Sequence, residues 1–277
     1  MIKSFKANWK LFIIEAWALG MFMISACVCT ILIEHPDFHI ATSIALPFWR
    51  RLLIGIAMGS TAILLIYSKW GKQSGAHMNP AVTLAHLHLN RIKLTDAIWY
   101  ILAQVIGASC CVAFVNFLFP NYVGSDVVNY VVTTPGVDGV AIAFIAEMGM
   151  SALLFGIVLL VSNSAYAKYT GYVAGFIVCC YIWFEAPLSG MSMNPARSFG
   201  SAINAGVWSS FWIYIVAPVM GMQFSAWLYR KLYLRSHGEC KTMLCHFSGD
   251  GLHNKIYKVW KWWQKDATNT LIEYNEN

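Results

Sequence analysis

The sequence predicts an all-α membrane protein, with six transmembrane helices and two re-entrant half-helices arranged as an inverted repeat. Three observations carry that prediction. The 277 residues are 58% hydrophobic and only 12% charged, with a mean hydropathy of +0.56, whereas soluble domains carry roughly one-quarter charged residues. The apolar residues form long continuous runs, not the two-residue alternation of a membrane β-barrel. One short phrase is written twice, Ser74-Gly75-Ala76-His77-Met78-Asn79-Pro80-Ala81 and Ser189-Gly190-Met191-Ser192-Met193-Asn194-Pro195-Ala196, with six of eight positions identical.

A spanning helix needs about 20 predominantly apolar residues, and runs of this kind cover about 11–33, 50–68, 95–118, 140–162, 169–186 and 208–230. The first run follows Lys10 as a secretory signal would. It is too long, contains Glu15 and lacks a small-residue cleavage site, so it reads as a retained span. Residues 80–89 and 195–205 read as half-length helices: Pro80 and Pro195 suit a first helical position, Asn79 and Asn194 fall at the N-caps, and neither stretch can cross a membrane alone. The domain plan is an N-terminus at 1–10, a membrane domain at 11–232 built from repeats at about 11–118 and 140–232, and a tail at 233–277.

Orientation follows from charge. Of the 19 Lys and Arg residues behind the net charge of +6, all but Arg50, Arg51 and Arg197 fall on one side of a six-span chain. The positive-inside rule makes that side, with both termini, cytoplasmic. The 119–139 loop contains no Lys or Arg and reads as external. The cysteine pairs Cys27/Cys29, Cys110/Cys111 and Cys179/Cys180 lie inside spans, where Cys acts as a small apolar residue, and imply no disulfide framework.

Each repeat reads as a span with an intramembrane Glu (Glu15, Glu147), a second span, the Asn-Pro-Ala phrase and a third span. Three spans per repeat is an odd number, so the second copy enters from the opposite face and the two phrases approach the bilayer centre from opposite sides. Irregular backbone at that depth is tolerated only where it lines a cavity. Two half-helices meeting by their N-termini place about +0.5 charge each at the midpoint, which repels cations and protons. A neutral molecule there can accept hydrogen bonds from the carboxamides of Asn79 and Asn194. The backbones of Gly75, Ala76, His77 and Met78, and of Gly190, Met191, Ser192 and Met193, can offer it carbonyl acceptors. Glu15 and Glu147 would be costly if they faced lipid, so each is assigned to holding a re-entrant loop.

In these residues the chain resembles the aquaporin (major intrinsic protein) family over roughly 10–232. The resemblance rests on both Asn-Pro-Ala motifs in their extended forms, Ser-Gly-Ala-His-Met-Asn-Pro-Ala-Val-Thr and Asn-Pro-Ala-Arg-Ser-Phe-Gly. It implies a right-handed six-helix bundle, normally a homotetramer with one pore per subunit, passing water and small neutral solutes while excluding protons and ions. In that family the Arg after the second motif, here Arg197, guards an outer constriction. An Arg at the centre of a spanning helix costs about 2.5–3.5 kcal/mol, so function is its default reading. The family's spacing, 20 residues before Asn79 and 12 before Asn194, assigns Gly59 and Ile182 to the same ring, with Met191 and Arg197. Water-selective members usually carry an aromatic residue and a His at the first two positions. Gly59 and Ile182 therefore imply a wider, less polar filter, and the alternative is an aquaglyceroporin-like channel for glycerol, urea or similar solutes. Ser198 and Ala202 resemble the water type instead, and Tyr214-Ile215 matches neither. Gly59 has a second reading as a helix-packing residue, through the small-xxx-small pattern with Gly55. His77 reads as a cytoplasmic pore-mouth residue, with a metal ligand or pH switch as the other possibility.

The tail carries Cys240, Cys245, His246, His237 and His253, which do not match a recognised zinc spacing, and a Lys/Trp-rich stretch at 255–263 suited to the inner headgroup surface. No metal, cofactor or nucleic-acid partner is expected. The chain has no P-loop phrase, no His-Glu-x-x-His and no Ser-His-Asp grouping, so it does not read as a nucleotide-driven pump or an enzyme. An ion-coupled transporter would need intramembrane carboxylates beyond Glu15 and Glu147.

Overall fold

The structure is a computed structural model in which residues 1–234 are described. The cysteine/histidine cluster and the 255–263 stretch therefore lie outside the described residues. Eight helices build the membrane domain: α1 (Ile2–Glu34), α2 (Pro47–Tyr67), α3 (Pro80–His88), α4 (Leu94–Leu118), α5 (Gly139–Ser162), α6 (Thr170–Phe184), α7 (Pro195–Ala205) and α8 (Ile213–Tyr229). Single-turn helices lie in several of the connections, and no strand occurs among the described residues. The fold is all-helical, with α3 and α7 as the half-helices.

α1, α2, α4 and α5 are each long and apolar enough to cross a membrane. α6 has 15 residues and α8 has 17; each is lengthened by an adjoining turn, Ala167–Tyr169 before α6 and Arg230–Leu234 after α8. Two boundaries differ from the sequence reading. α1 begins at Ile2, so 2–10 continue the helix instead of forming a separate N-terminus. No Pro or Gly interrupts that stretch, and Ser4 and Asn8 donate to Asp96 of α4 at 2.5 and 3.1 Å, tying the extension down. α8 begins at Ile213, because 208–212 are spent in turns after α7.

The helices pair by repeat: α1 packs along α4, α5 along α8, and α2 crosses α6 between the repeats. Glycines set the three crossings. A Cβ on Gly107 of α4 would lie 2.1 Å from the Ala16 carbonyl of α1, and one on Gly221 of α8 would lie 2.2 Å from the Met148 carbonyl of α5. Ala16 and Met148 each follow a loop-holding Glu. At the third crossing a Cβ on Gly59 would meet Gly175 O at 2.5 Å, and one on Gly175 would meet Gly59 O at 2.6 Å. The reciprocity marks the pseudo-two-fold relation of the repeats. Large apolar side chains such as Leu64, Ile106, Phe117 and Phe176 point outward, which suits a lipid-facing surface.

Candidate functional site

The site is built where the two half-helices meet. Asn79 and Asn194 take extended backbone angles just before Pro80 and Pro195, so each ends an irregular segment and caps a helix. Asn79 Oδ1 accepts from Ala81 N at 2.8 Å; Asn194 Oδ1 accepts from Ala196 N at 3.1 Å and Arg197 N at 3.2 Å. These caps turn each amide nitrogen toward the opposite loop. Asn79 Nδ2 donates to Met193 O and Asn194 Nδ2 to Met78 O, both at 2.7 Å. The reciprocal pair ties the repeats together. A carboxamide nitrogen carries two N–H groups, so each Asn keeps one for a molecule in the lumen.

The approach to each Asn is wound unusually tightly. Gly75, Ala76 and Met78 have φ of 87, 47 and 48°, and Gly190, Met191 and Met193 have 79, 50 and 53°. Left-handed backbone is easy for Gly and strained for the other residues. What holds it is a buried carboxylate behind each loop. Glu15 Oε1 accepts from Ser74 Oγ at 2.7 Å and His77 N at 3.0 Å, and its Oε2 accepts from Met78 N at 2.7 Å and Gln104 Nε2 at 2.8 Å. Glu147 Oε1 accepts from Ser189 Oγ at 2.9 Å and Ser192 N at 2.6 Å, and its Oε2 from Met193 N at 2.7 Å. Both glutamates are fully buried. Charge-assisted bonds of this kind are the strong class.

Two tyrosines complete the scaffold. Tyr100 donates to Ser74 O at 2.8 Å and Tyr214 to Ser189 O at 2.6 Å. Sequence reasoning missed Tyr100 and Gln104 and treated Tyr214 only as a filter-type marker. The available signal was position: Tyr100 and Tyr214 stand at nearly the same distance beyond the two phrases, and each is seven residues before its crossing glycine, Gly107 or Gly221.

A cavity of about 370 Å³ runs past this junction, from Lys72 and Ser162 at one end to Arg51 and Val131 at the other. Gly75, Ala76, His77, Met78, Asn79, Gly190, Met191, Ser192, Met193, Asn194, Arg197 and Ile182 all line it. Among the described residues the carbonyls of Gly75, Ala76, His77, Gly190, Met191 and Ser192 accept no protein hydrogen bond. The Met78 and Met193 carbonyls also belong to cavity-lining residues, and each spends one of its two lone pairs on the opposite carboxamide. Pro80, Ala81, Pro195 and Ala196 shape the helix starts and are absent from the cavity wall.

Gly59 is a correction. It is buried at the α2–α6 crossing, not on the wall, and Met58 beside it lines the cavity with Ile54 and Ala62. Along an α-helix one residue is a turn of about 100°, so a register error of one exchanges a wall position for a packing position. The cavity wall therefore contains Met58 where a glycine was expected.

Arg197 lines the cavity, and its Nη1 is buried with no hydrogen-bond partner among the described residues. Behind it Ser198 Oγ bonds Ser192 Oγ at 2.5 Å and Thr133 Oγ1 at 2.7 Å, tying the loop before α5 to the second phrase. His77 sits on the Lys72 side of the Asn pair; its Nδ1 is 3.1 Å from Thr83 Oγ1 and its ring lies against His86 with centroids 4.6 Å apart. Arg50 is occupied elsewhere, donating to Glu34 at 2.9 Å.

The profile of the family described as "Major intrinsic protein" matches residues 1–229. The chain is 36% identical to "Aquaporin NIP1-1" of Arabidopsis thaliana over 187 residues, covering 64% of this chain and 60% of that protein. It is 30% identical to "Nodulin-26" of Glycine max over 216 residues, covering 77% of this chain and 75% of that one. It thus spans about three-fifths of the length of the NIP1 relatives. A solved structure titled "X-ray structure of the aquaglyceroporin from Plasmodium falciparum" superposes with a TM-score of 0.70 at 22% identity, over 83% of this chain and 98% of that one, and so shares the fold. With that family profile over most of its length and an inverted pair of half-helices at its centre, the chain belongs to the major intrinsic protein family.

Proposed function

We propose that the protein is a passive membrane channel that passes water and small uncharged solutes and holds back protons and ions. The observation that carries the reading is the reciprocal Asn79/Asn194 pair at the facing N-termini of α3 and α7. There a lumen molecule meets two N–H donors and a positive bias from both helices. Unpaired backbone carbonyls lie on either side, so a file of water accepts bonds at the centre and donates on both flanks. That polarity interrupts a proton wire. Arg197 adds a full positive charge on the path, and the names of the sequence relatives agree with a water or solute channel.

The same reading places the chain in the cell membrane with both termini cytoplasmic, as the Lys and Arg distribution favours. It also takes the working form as a homotetramer with a pore in each subunit. Reconstituted vesicles should shrink osmotically faster than empty ones without added proton leak. Equal rates at matched protein content would overturn the reading.

A second reading, glycerol or urea as the main permeant, is favoured by one observation. The cavity that Arg197 lines also carries Met58, Ile182 and Met191 on its wall, which offer apolar contact to a carbon backbone while the guanidinium binds hydroxyls. Met58→Phe narrows that wall, and on this reading it lowers glycerol uptake more than water flux.

A further inference from the structure

Methionine is concentrated on one surface of this protein. The chain has 12 methionines, and Met58, Met78, Met191, Met193 and Met222 all line the cavity described above. Met58 and Met191 line the same cavity as Arg197, while Met78 and Met193 directly precede the paired Asn residues. Of the other described methionines, Met1, Met21 and Met220 are 49%, 40% and 49% exposed, Met23 is fully buried in the α1–α4 core, Met148 packs against the Ala143/Tyr214 cluster, and Met150 is buried against Met191 and Met193.

A thioether is soft, oxidisable and nearly apolar, and its sulfoxide is polar, bulkier and a strong hydrogen-bond acceptor. A wall of thioethers is therefore a wall whose polarity can be changed by an oxidant that reaches it. Hydrogen peroxide is the matching reagent: uncharged, close to water in size, and able to both donate and accept hydrogen bonds. A lumen that admits water on the terms set by Asn79, Asn194 and Arg197 admits peroxide on the same terms. Methionines facing hydrocarbon meet little of it.

We propose that Met58 and Met191 are a peroxide-sensitive modification site in the lumen, and that their oxidation throttles the pore. This rests on the channel reading. In the reaction a sulfur lone pair of Met58 or Met191 attacks one peroxide oxygen, the S–O bond forms as the O–O bond breaks, and the departing hydroxide takes the remaining proton as water. The thioether is oxidised by two electrons and peroxide is reduced to water. The new oxygen projects from the wall of the cavity that Arg197 also lines, where Arg197 Nη1 has no hydrogen-bond partner among the described residues. A sulfoxide there fills space and puts a strong acceptor on the wall that the Arg197 guanidinium shares.

The test uses the full chain reconstituted in vesicles, treated with hydrogen peroxide, quenched with catalase, and divided between peptide mass spectrometry and osmotic flux. Met58 and Met191 should become sulfoxides ahead of Met21, Met220 and Met23, with water flux falling by at least about twofold in step with them. Met58→Leu and Met191→Leu, each compared with its own untreated flux, should lose that sensitivity, and the double variant should lose it entirely. Preferential oxidation of Met21 or Met220 would overturn the site. Full oxidation of Met58 and Met191 with undiminished flux would overturn the throttling, as would a flux loss that persists in the double variant. If untreated vesicles shrink no faster than empty ones, the channel reading itself falls, and the order of oxidation still decides whether the cavity methionines form a distinct site.

Discussion

Three residues beyond its capping Asn, the first half-helix carries Val82 and the second carries Arg197, although the loops leading to them are held in the same way. Both side chains line the cavity. Behind them a buried Glu, a Ser, a Tyr and a crossing Gly recur in both repeats at matching places. The groups that position backbone are duplicated, and the groups that meet the lumen have diverged. That division is expected where geometry must be symmetric at the midpoint but the two compartments present different molecules. It also separates residues whose loss should unfold the protein from residues whose loss should change what passes.

The largest effect should come from the positioning set. Glu15→Ala leaves Ser74 Oγ, His77 N, Met78 N and one of the two N–H groups of Gln104 Nε2 without an acceptor, the other still reaching Thr83 Oγ1, and Glu147→Ala leaves Ser189 Oγ, Ser192 N and Met193 N. Removing a partner from a buried donor costs about 1–3 kcal/mol, so each variant should lose at least about 3 kcal/mol. The Glu15 variant should fall further, having one more orphan. Thermal unfolding of the detergent-solubilised protein checks both the size and the order. A milder midpoint shift for Glu15→Ala than for Glu147→Ala would break the supposed equivalence of the two loops.

Next in size is the charge that only one repeat carries. A unit charge about 4 Å from an ion is worth roughly 4 kcal/mol at an effective dielectric near 20. Arg197→Val should therefore raise proton or cation leak by at least about tenfold, a scale at which one decade is about 1.4 kcal/mol. The sharper experiment moves the charge: adding Val82→Arg to Arg197→Val places a guanidinium at the matching point of the other half-helix. Vesicle pH-dye and potassium-flux assays should show most of the exclusion restored. Leak that stays high would mean the hydroxyl chain behind Arg197, Ser192, Ser198 and the loop residue Thr133, is needed to aim the Arg.

How far the sequence could reach follows the same division. The half-helices were legible at 80–89 and 195–205 because Asn-Pro leaves a local signature, and the observed bounds Pro80–His88 and Pro195–Ala205 lie within a residue or so. The loop-holding glutamates were legible because a carboxylate inside an apolar run has few affordable places. Gln104 was not, since an amide within a span advertises no partner, and Tyr100 was masked by the chain's many aromatic residues. The filter failed at Gly59 because wall and packing positions alternate every residue or two along a helix, and spacing alone does not fix that phase. Met58 and Gly59 are neighbours in sequence with opposite surroundings.

The smallest expected effect concerns the glycines at the crossings. Gly107→Ala and Gly221→Ala should destabilise by similar amounts, about 1–3 kcal/mol each, because the added methyl meets a backbone carbonyl that cannot rotate away. Gly59→Ala should behave like them and leave the ratio of glycerol to water flux unchanged, since its Cβ points at Gly175 and not into the lumen. Gly149→Ala is the control: nothing lies within 4 Å of its Cβ, so the helix gains up to about 1 kcal/mol of propensity. Midpoints measured side by side should therefore fall for three variants and hold or rise for the fourth. If Gly107→Ala and Gly221→Ala differed widely, the symmetry of the scaffold would be confined to the loops. If Gly59→Ala altered the flux ratio at unchanged stability, Gly59 would have to return to the filter and the phase assigned to α2 would be wrong.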